Sequence, residues 1–600
     1  MKHFYTDEKN TQIVIALLKA HGIRKVIANP GVRNISFVGS VQNDPWFEVY
    51  SGVDERHSAY MAVGMAAESG EPVVLSCTQA TASRNYLPAM TEAFYRKIPV
   101  LAITSMIDDR KNGQLYPQTV DLTTPPSDAY RKSIICRPVT TDSEANDCER
   151  IVNEAILELT HSGGGPVNIN LITSMNNVFR TETLPKVRKI CRWECGCNAR
   201  EFPQIPNNAK VAIVVGSRRM PRGKMSFENE RTSVANFVNA YDAVVLTDKT
   251  SEYDGPNRVD ADLLFRQKGL FKNHRFSRLR PDVIVHVGET SGAYTPIICL
   301  SCAPVWRVSE DGEIRDTNGR LEHLFEMRLS DFCDTYSPKA EHHGDSWYAE
   351  AWRKADSEVR EKIPELPFSN AWIAQKMHSH LPPGCNLHLA IYNALKMWDC
   401  FPVENSIRAS SNVGGFGIDG CVSTLLGAAL ASPDKLCVGV VGDLAFFYDL
   451  NALGNRHIGS NVRILLVNNG TGAEFNIYHN PGAQFGDRVN EFIAAGGHNG
   501  NQSRHLVRHL AEDLGFHYIA AEGKDNFDDI IRQFLDQESK QPIILECFTT
   551  ARDESDAQYI LDHLIELPES GPSSASLVKT AKAIVPKRVK RILKGFLSHG

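Results

Sequence analysis

Short apolar runs of strand length recur throughout the 600-residue chain, each followed by a helical or polar spacer. KVIANPG, PVVLSCT, PVLAITS and GGGPVNINL occupy the first third, VAIVVG, AVVLTD, PDVIVHVGE and APVWRVSED the middle, and LHLAIYNALKMW, SIRASSNVGGFGIDG, KLCVGVVGD, RILLVNN and PIILECF the last. A strand with little polar alternation is buried on both faces, and a helical return between strands lays them parallel. The pattern predicts an α/β fold of three consecutive open parallel-sheet α/β domains, over residues 1–180, 200–340 and 365–555. In the first, TDEKNTQIVIALLKAHGI reads as a helix with Thr6 as N-cap and Gly22 as stop, and ERHSAYMAVGMAAESG as a helix directly after a strand.

The connectors carry less. PKVRKICRWECGCNAREFPQIPNN is irregular; Cys191, Cys195 and Cys197 within it could bind a metal, but no second Cys/His pair lies near them in sequence and a plain linker is the simpler reading. The remaining cysteines are scattered singly through apolar or irregular segments, which suits reduced core thiols. A net charge of -6 gives no bulk attraction to nucleic acid. The start, MKHFYTDEKNTQ, lacks the basic-then-apolar run of a secretory signal, and no apolar segment is long enough to cross a bilayer, so a cytoplasmic protein is expected. After ESGPSSAS, residues 570–600 are basic and free of acids. They form either an amphipathic helix peripheral at an anionic membrane surface or a solvated tail interrupted at Pro586.

Two strand ends carry chemistry. Asp443 ends CVGVVGD and Asn469 ends RILLVNN, and in an open parallel sheet ligands bind beyond the carboxyl ends of the strands. A carboxylate, an amide oxygen and a backbone carbonyl suit Mg²⁺, which takes its remaining oxygens from phosphate and water. Gly442 and Gly470 let phosphate oxygens approach backbone N–H groups. The bland alternative is a helix-capping Asp443 and an Asn468-Asn469 turn.

The Gly-Asp followed, 26 residues after the Asp, by the second Asn of the pair resembles the diphosphate and Mg²⁺ motif of thiamine-diphosphate enzymes. That family arranges three α/β domains in the order pyrimidine-binding, central, diphosphate-binding. Within it, Gly442 to Leu453 (GDLAFFYDLNAL) and Gly417 to Gly420 (GIDG) are most similar to the menaquinone-pathway synthase that makes 2-succinyl-5-enolpyruvyl-6-hydroxy-3-cyclohexene-1-carboxylate. The likeness spans nearly all of residues 1–550.

The resemblance implies thiamine diphosphate and Mg²⁺ as cofactors. Asp443, Asn469 and Thr471 would hold the metal, and Gly417, Ile418, Gly442, Leu444 and Phe475 would join them around the cofactor. Glu55 would place its carboxyl on the pyrimidine nitrogen, with Ile418 beneath the folded cofactor. Gln118 would lie near the reacting carbon, and Arg33, Asn476 and His479 near substrate. A first-turn helix acid stabilised by the dipole for Glu55, a core isoleucine for Ile418 and a turn contact for Gln118 remain the alternatives. Members of the family build each site across a subunit interface, so a homodimer or homotetramer is expected, with Glu55 from one subunit and Asp443 with Asn469 from another.

The pattern also breaks. The synthases hold a 2-oxo diacid and an acceptor with two carboxylates, for which arginine is the suited residue. Here NPGVRN (Asn29 to Asn34) keeps Arg33 but has Val32 in place of a serine. Ile107 replaces one arginine, with Arg110 and Lys111 close by; Val413 replaces a second; and the NALKMW stretch from Asn393 loses a third. Each lost charged hydrogen bond costs about 1.5–3 kcal/mol of binding. The expected activity is decarboxylation of a 2-oxo acid with transfer of the acyl-anion equivalent to a different, less anionic acceptor. A simple 2-oxo-acid decarboxylase and a non-catalytic, tail-anchored binding protein are the alternatives. No G-x-G-x-x-G opens a βαβ unit, which argues against a nicotinamide dehydrogenase.

Overall fold

The computed structural model describes residues 4–174, 178–190, 202–218, 224–267, 274–292, 303–313, 315–317, 320–337, 347–499 and 502–566. The cysteine-rich connector and the basic tail lie outside the described residues. Three six-stranded sheets, parallel throughout, follow one another along the chain.

A short antiparallel pair, β1 (Tyr5–Thr6) with β8 (Phe179–Thr181), closes the first unit. Its sheet is made of β2 (Lys25–Ala28), β3 (Glu48–Ser51), β4 (Val73–Thr78), β5 (Val100–Met106), β6 (Lys132–Cys136) and β7 (Val167–Ile172), in the order β3-β2-β4-β5-β7-β6. The middle sheet has β9 (Val211–Val215), β10 (Val244–Thr247), β11 (Arg258–Asp260), β12 (Val283–Val287), β13 (Val305–Val308) and β14 (Leu321–Phe325), ordered β11-β10-β9-β12-β13-β14. The last has β15 (Asn386–Leu389), β16 (Arg408–Ser410), β17 (Cys437–Gly442), β18 (Val462–Asn468), β19 (His517–Ala521) and β20 (Ile543–Phe548), ordered β16-β15-β17-β18-β20-β19. The first and last sheets therefore share one strand order, while the middle one differs.

Interior strands such as β4, β5, β9 and β18 are buried along nearly their whole length, as their apolar runs require. One hydrophobic cluster runs continuously from the middle sheet into the last and includes Trp352 of the helix Tyr348–Arg360. The first domain docks on the last through the helices Glu55–Ser69 and Cys421–Ala431. A Cβ on Gly64 would lie 1.9 Å from the Thr424 carbonyl oxygen, and one on Gly427 the same distance from that of Met61, so the two backbones meet with only hydrogens between them.

One local expectation changes. Thr6 lies in β1, and the first helix begins later, at Lys9, with Glu8 as N-cap; Thr6 Oγ1 instead accepts the Glu8 N–H at 3.3 Å. Gly22 does follow the helix, at φ +77°. The described cysteines are all buried and free of disulfides. Among the described residues no helix is long and apolar enough to cross a membrane.

Candidate functional site

Beyond the carboxyl ends of β15, β17 and β18, where the strand order reverses, a cavity of about 570 Å³ opens. Gly417, Ile418, Gly442, Asp443, Leu444, Asn469, Thr471 and Phe475 all line it. Asp443 begins the helix Asp443–Tyr448 and is 5% exposed. Its Oδ1 accepts the Leu444 N–H at 2.8 Å and its Oδ2 the Gly470 N–H at 2.6 Å. Burial pushes its pKa up to about 6 against the pull of these backbone donors. A carboxylate desolvated this far gains from a cation at its free lone pairs.

The neighbouring residues fit that cation and a diphosphate. Asn468 and Asn469 divide their work: Asn468 is buried and donates to Glu546 Oε1 at 2.7 Å, whereas Asn469 opens on the cavity, its Oδ1 accepting the Thr471 N–H at 3.3 Å. The Thr471 hydroxyl is turned away, to Asn490 Oδ1 at 2.7 Å and the Ala494 carbonyl at 3.0 Å, which leaves its own carbonyl as the group to offer a metal. A Cβ on Gly442 would meet nothing within 4 Å, so the backbone before the helix start is open to a ligand. Among the described residues no cluster of three or more His, Cys, Asp or Glu side chains could hold a metal by itself, as expected of a site that relies on ligand oxygens.

Glu55 lies elsewhere. It is the first residue of its helix, whose N-cap Asp54 accepts the Arg56 and His57 N–H groups at 2.9 and 3.3 Å. It lines a second cavity, of about 670 Å³, with Asn85, Asn451, Asn455 and Arg456, and without Asp443 or Asn469. Behind it runs a buried polar chain: Asn455 to His57 Nε2 at 2.9 Å, His57 Nδ1 to Ser423 Oγ at 2.7 Å, and Ser423 Oγ to Asp449 Oδ1 at 2.6 Å. Burial lowers the His57 pKa to about 4 and raises that of Asp449 to about 7.

The remaining expected residues are spread out. Arg33 is half-buried; its carbonyl accepts the Thr173 hydroxyl at 3.0 Å and its Nε is buried without a hydrogen-bond partner. Gln118 is exposed at φ +58°, its carbonyl accepting from Gln79 Nε2 at 2.5 Å. Asn476 donates to Asn490 Oδ1 at 3.2 Å, and the His479 ring stands 5.0 Å from that of Tyr478, its pKa lowered by burial. Neither Asn476 nor His479 lines the cofactor cavity.

One residue singled out by no motif lines that cavity: Glu474, which pairs with Lys396 Nζ at 2.6 Å. Glu474 followed a recognisable motif but had no partner nearby in sequence, since Lys396 is 78 residues away.

At the positions that lose arginine, Val413 and Trp398 are fully buried, the latter donating to Asn370 Oδ1 at 3.2 Å. The Ile107 N–H donates to Gln79 Oε1 at 2.8 Å. Arg110 is held by its own loop, its Nε 2.9 Å from Asp108 Oδ1.

Residues 9–124 match the family model for the thiamine pyrophosphate enzyme N-terminal TPP binding domain. The whole chain is similar to 2-succinyl-5-enolpyruvyl-6-hydroxy-3-cyclohexene-1-carboxylate synthases. That of Bacteroides thetaiotaomicron is 30% identical over 576 residues, covering 94% of this chain and 100% of the relative. That of Bacteroides fragilis is 31% identical over 575 residues with the same coverage, and that of Flavobacterium johnsoniae 28% identical over 563 residues, covering 90% of this chain and 95% of the relative. The alignments thus run across all three sheets of this chain. The chain is a thiamine-diphosphate-dependent enzyme and belongs to the family of the 2-succinyl-5-enolpyruvyl-6-hydroxy-3-cyclohexene-1-carboxylate synthases.

Proposed function

We propose that the protein decarboxylates a 2-oxo acid and transfers the acyl-anion equivalent to an acceptor less anionic than the one the resemblance implies. Thiamine diphosphate, when bound, supplies the electron sink for loss of CO₂. Asp443, Asn469 and the Thr471 carbonyl would hold Mg²⁺ and the diphosphate, and Ile418 would pack against the cofactor. Glu55 hydrogen-bonds the pyrimidine nitrogen and holds a proton there. Arg33, Gln118, Asn476 and His479 attend the substrate from surrounding loops. The active unit is a homodimer, or a pair of such dimers, in which Glu55 of one protomer meets the Asp443 cavity of its partner.

One observation carries the acceptor reading. Of the three positions vacated by arginine, Val413 and Trp398 are sealed in the core and Ile107 is half-buried and apolar, while Lys396, near the cavity, is already paired with Glu474. A dicarboxylate acceptor would find its usual bidentate partners missing. The test is mass spectrometry of products from a panel of 2-oxo acids, pyruvate and 2-oxoglutarate included, incubated with the Mg²⁺-loaded enzyme and candidate acceptors. A ligated product with a neutral or singly charged acceptor supports the proposal. Free aldehyde alone, whatever the acceptor, overturns it in favour of simple decarboxylation.

A further inference from the structure

The loop that brings Gly417 and Ile418 into the cofactor cavity belongs to the last domain, yet the first domain holds it. Glu92, on the helix Leu87–Tyr95, is 1% exposed, and its Oε2 accepts the Gly415 N–H at 2.6 Å. A Cβ on Gly414 would lie 2.5 Å from the Glu92 carbonyl oxygen, so loop and helix touch backbone to backbone. Arg96, one turn on, stands with Nη1 3.5 Å from Glu92 Oε1 and supplies the opposite charge. On the far side of Ile418, Tyr60 donates its hydroxyl to Asp419 Oδ1 at 3.1 Å, and a Cβ on Gly420 would lie 2.1 Å from the Tyr60 ring.

Ile418 thus sits between two grips, at 415 and at 419, both made from the first domain of the same chain. Between them Phe416 is held at φ +52°, a conformation that a bulky L residue keeps only when its surroundings impose it. Tyr60 lies on the helix headed by Glu55, so the element that braces this chain's loop is the same one that carries Glu55 at its start.

We propose that Glu92 and Tyr60 are positioning residues for thiamine diphosphate: by clamping residues 414–420 they pre-pay the ordering of the loop and set the place of Ile418 before the cofactor arrives. Neither touches the cofactor; both act through the loop.

Titration of thiamine diphosphate into the apo full-length protein at saturating Mg²⁺, followed by calorimetry, tests this, with the apo Tm measured on the same samples. Glu92→Leu, which cannot accept from Gly415, weakens cofactor binding roughly tenfold or more, and Tyr60→Phe does so about threefold. Glu92→Gln, which keeps an acceptor oxygen, loses less than Glu92→Leu. A purely structural role would lower the apo Tm and leave the dissociation constant of the folded protein where it was. Unchanged cofactor affinity in Tyr60→Phe and in the Glu92 variants overturns the proposal; should Glu92→Leu fail to fold, Glu92→Gln and Tyr60→Phe decide it alone.

Discussion

Glu55 and Asp443 open onto different cavities of one chain, the first beside Asn451 and Asn455, the second between the ends of β15, β17 and β18. A single cofactor cannot reach both from within one protomer if each group acts in its own cavity. Two inactive variants therefore complement each other. Co-expressed Glu55→Gln and Asp443→Asn chains, each inactive alone, recover about a quarter of wild-type activity, because half the dimers are mixed and each mixed dimer has one intact site of two. Tagged co-purification and a turnover assay check this; no recovery would place both groups in one protomer's site.

The asparagine pair predicts a split between stability and binding. Asn468→Ala strips a buried partner from Glu546 and lowers stability by about 1–3 kcal/mol, seen as a lower Tm, with little change in Mg²⁺ dependence. Asn469→Ala does the reverse: the apo Tm holds while cofactor affinity in Mg²⁺ falls by about 100-fold. Chelation with EDTA removes activity from the wild type and added Mg²⁺ restores it.

The docking of the first domain on the last rests on two glycines. Gly64→Ala and Gly427→Ala each drive a methyl group into a facing carbonyl 1.9 Å away and cost about 1–3 kcal/mol or more. Thermal melts read the loss, and the two substitutions are less than additive because they open the same contact.

Asp449 makes stability depend on pH. Its folded pKa, raised to about 7, lies above the unfolded value near 4, so the fold holds the neutral acid. This contribution is fully present below the unfolded value and is lost as pH rises through 7, at roughly 1.4 kcal/mol for each pH unit between the two. Asp449→Asn, which stays neutral, therefore gains on the wild type between pH 4 and 7. The difference in Tm between the two proteins grows across that range and levels off above it; a difference independent of pH would show that Asp449 is charged throughout.

Much of this arrangement was legible before any coordinates. The interior strands stood out because burial on both faces demands uninterrupted apolar residues, and the cofactor cavity was legible because Gly442-Asp443 and Asn469 sit at strand ends whose chemistry depends on local backbone. Of the strands that went unread, β6, β11, β14 and β19 lie at the edges of the six-stranded sheets, and β1 and β8 form the short antiparallel pair. An edge strand needs less apolar cover, and KSIIC, RVD, LEHLF and HYIAA carry polar residues that hide the pattern. Thr6 was misplaced as a cap because its hydrogen bond to Glu8 is the same local signal in a strand as at a helix start.

The sequence by itself determined the fold class, because buried strands declare themselves by periodicity, and it pointed to the cofactor through the family resemblance carried by Gly442-Asp443 and Asn469. Tertiary structure alone decided that Asn468 is buried against Glu546, that Val413 and Trp398 are walled into the core, and that Glu92 and Tyr60 reach across a domain boundary to the Ile418 loop. Those contacts join residues 78 to 359 positions apart, and their partners are chosen by how the helices and sheets pack, which no local pattern encodes.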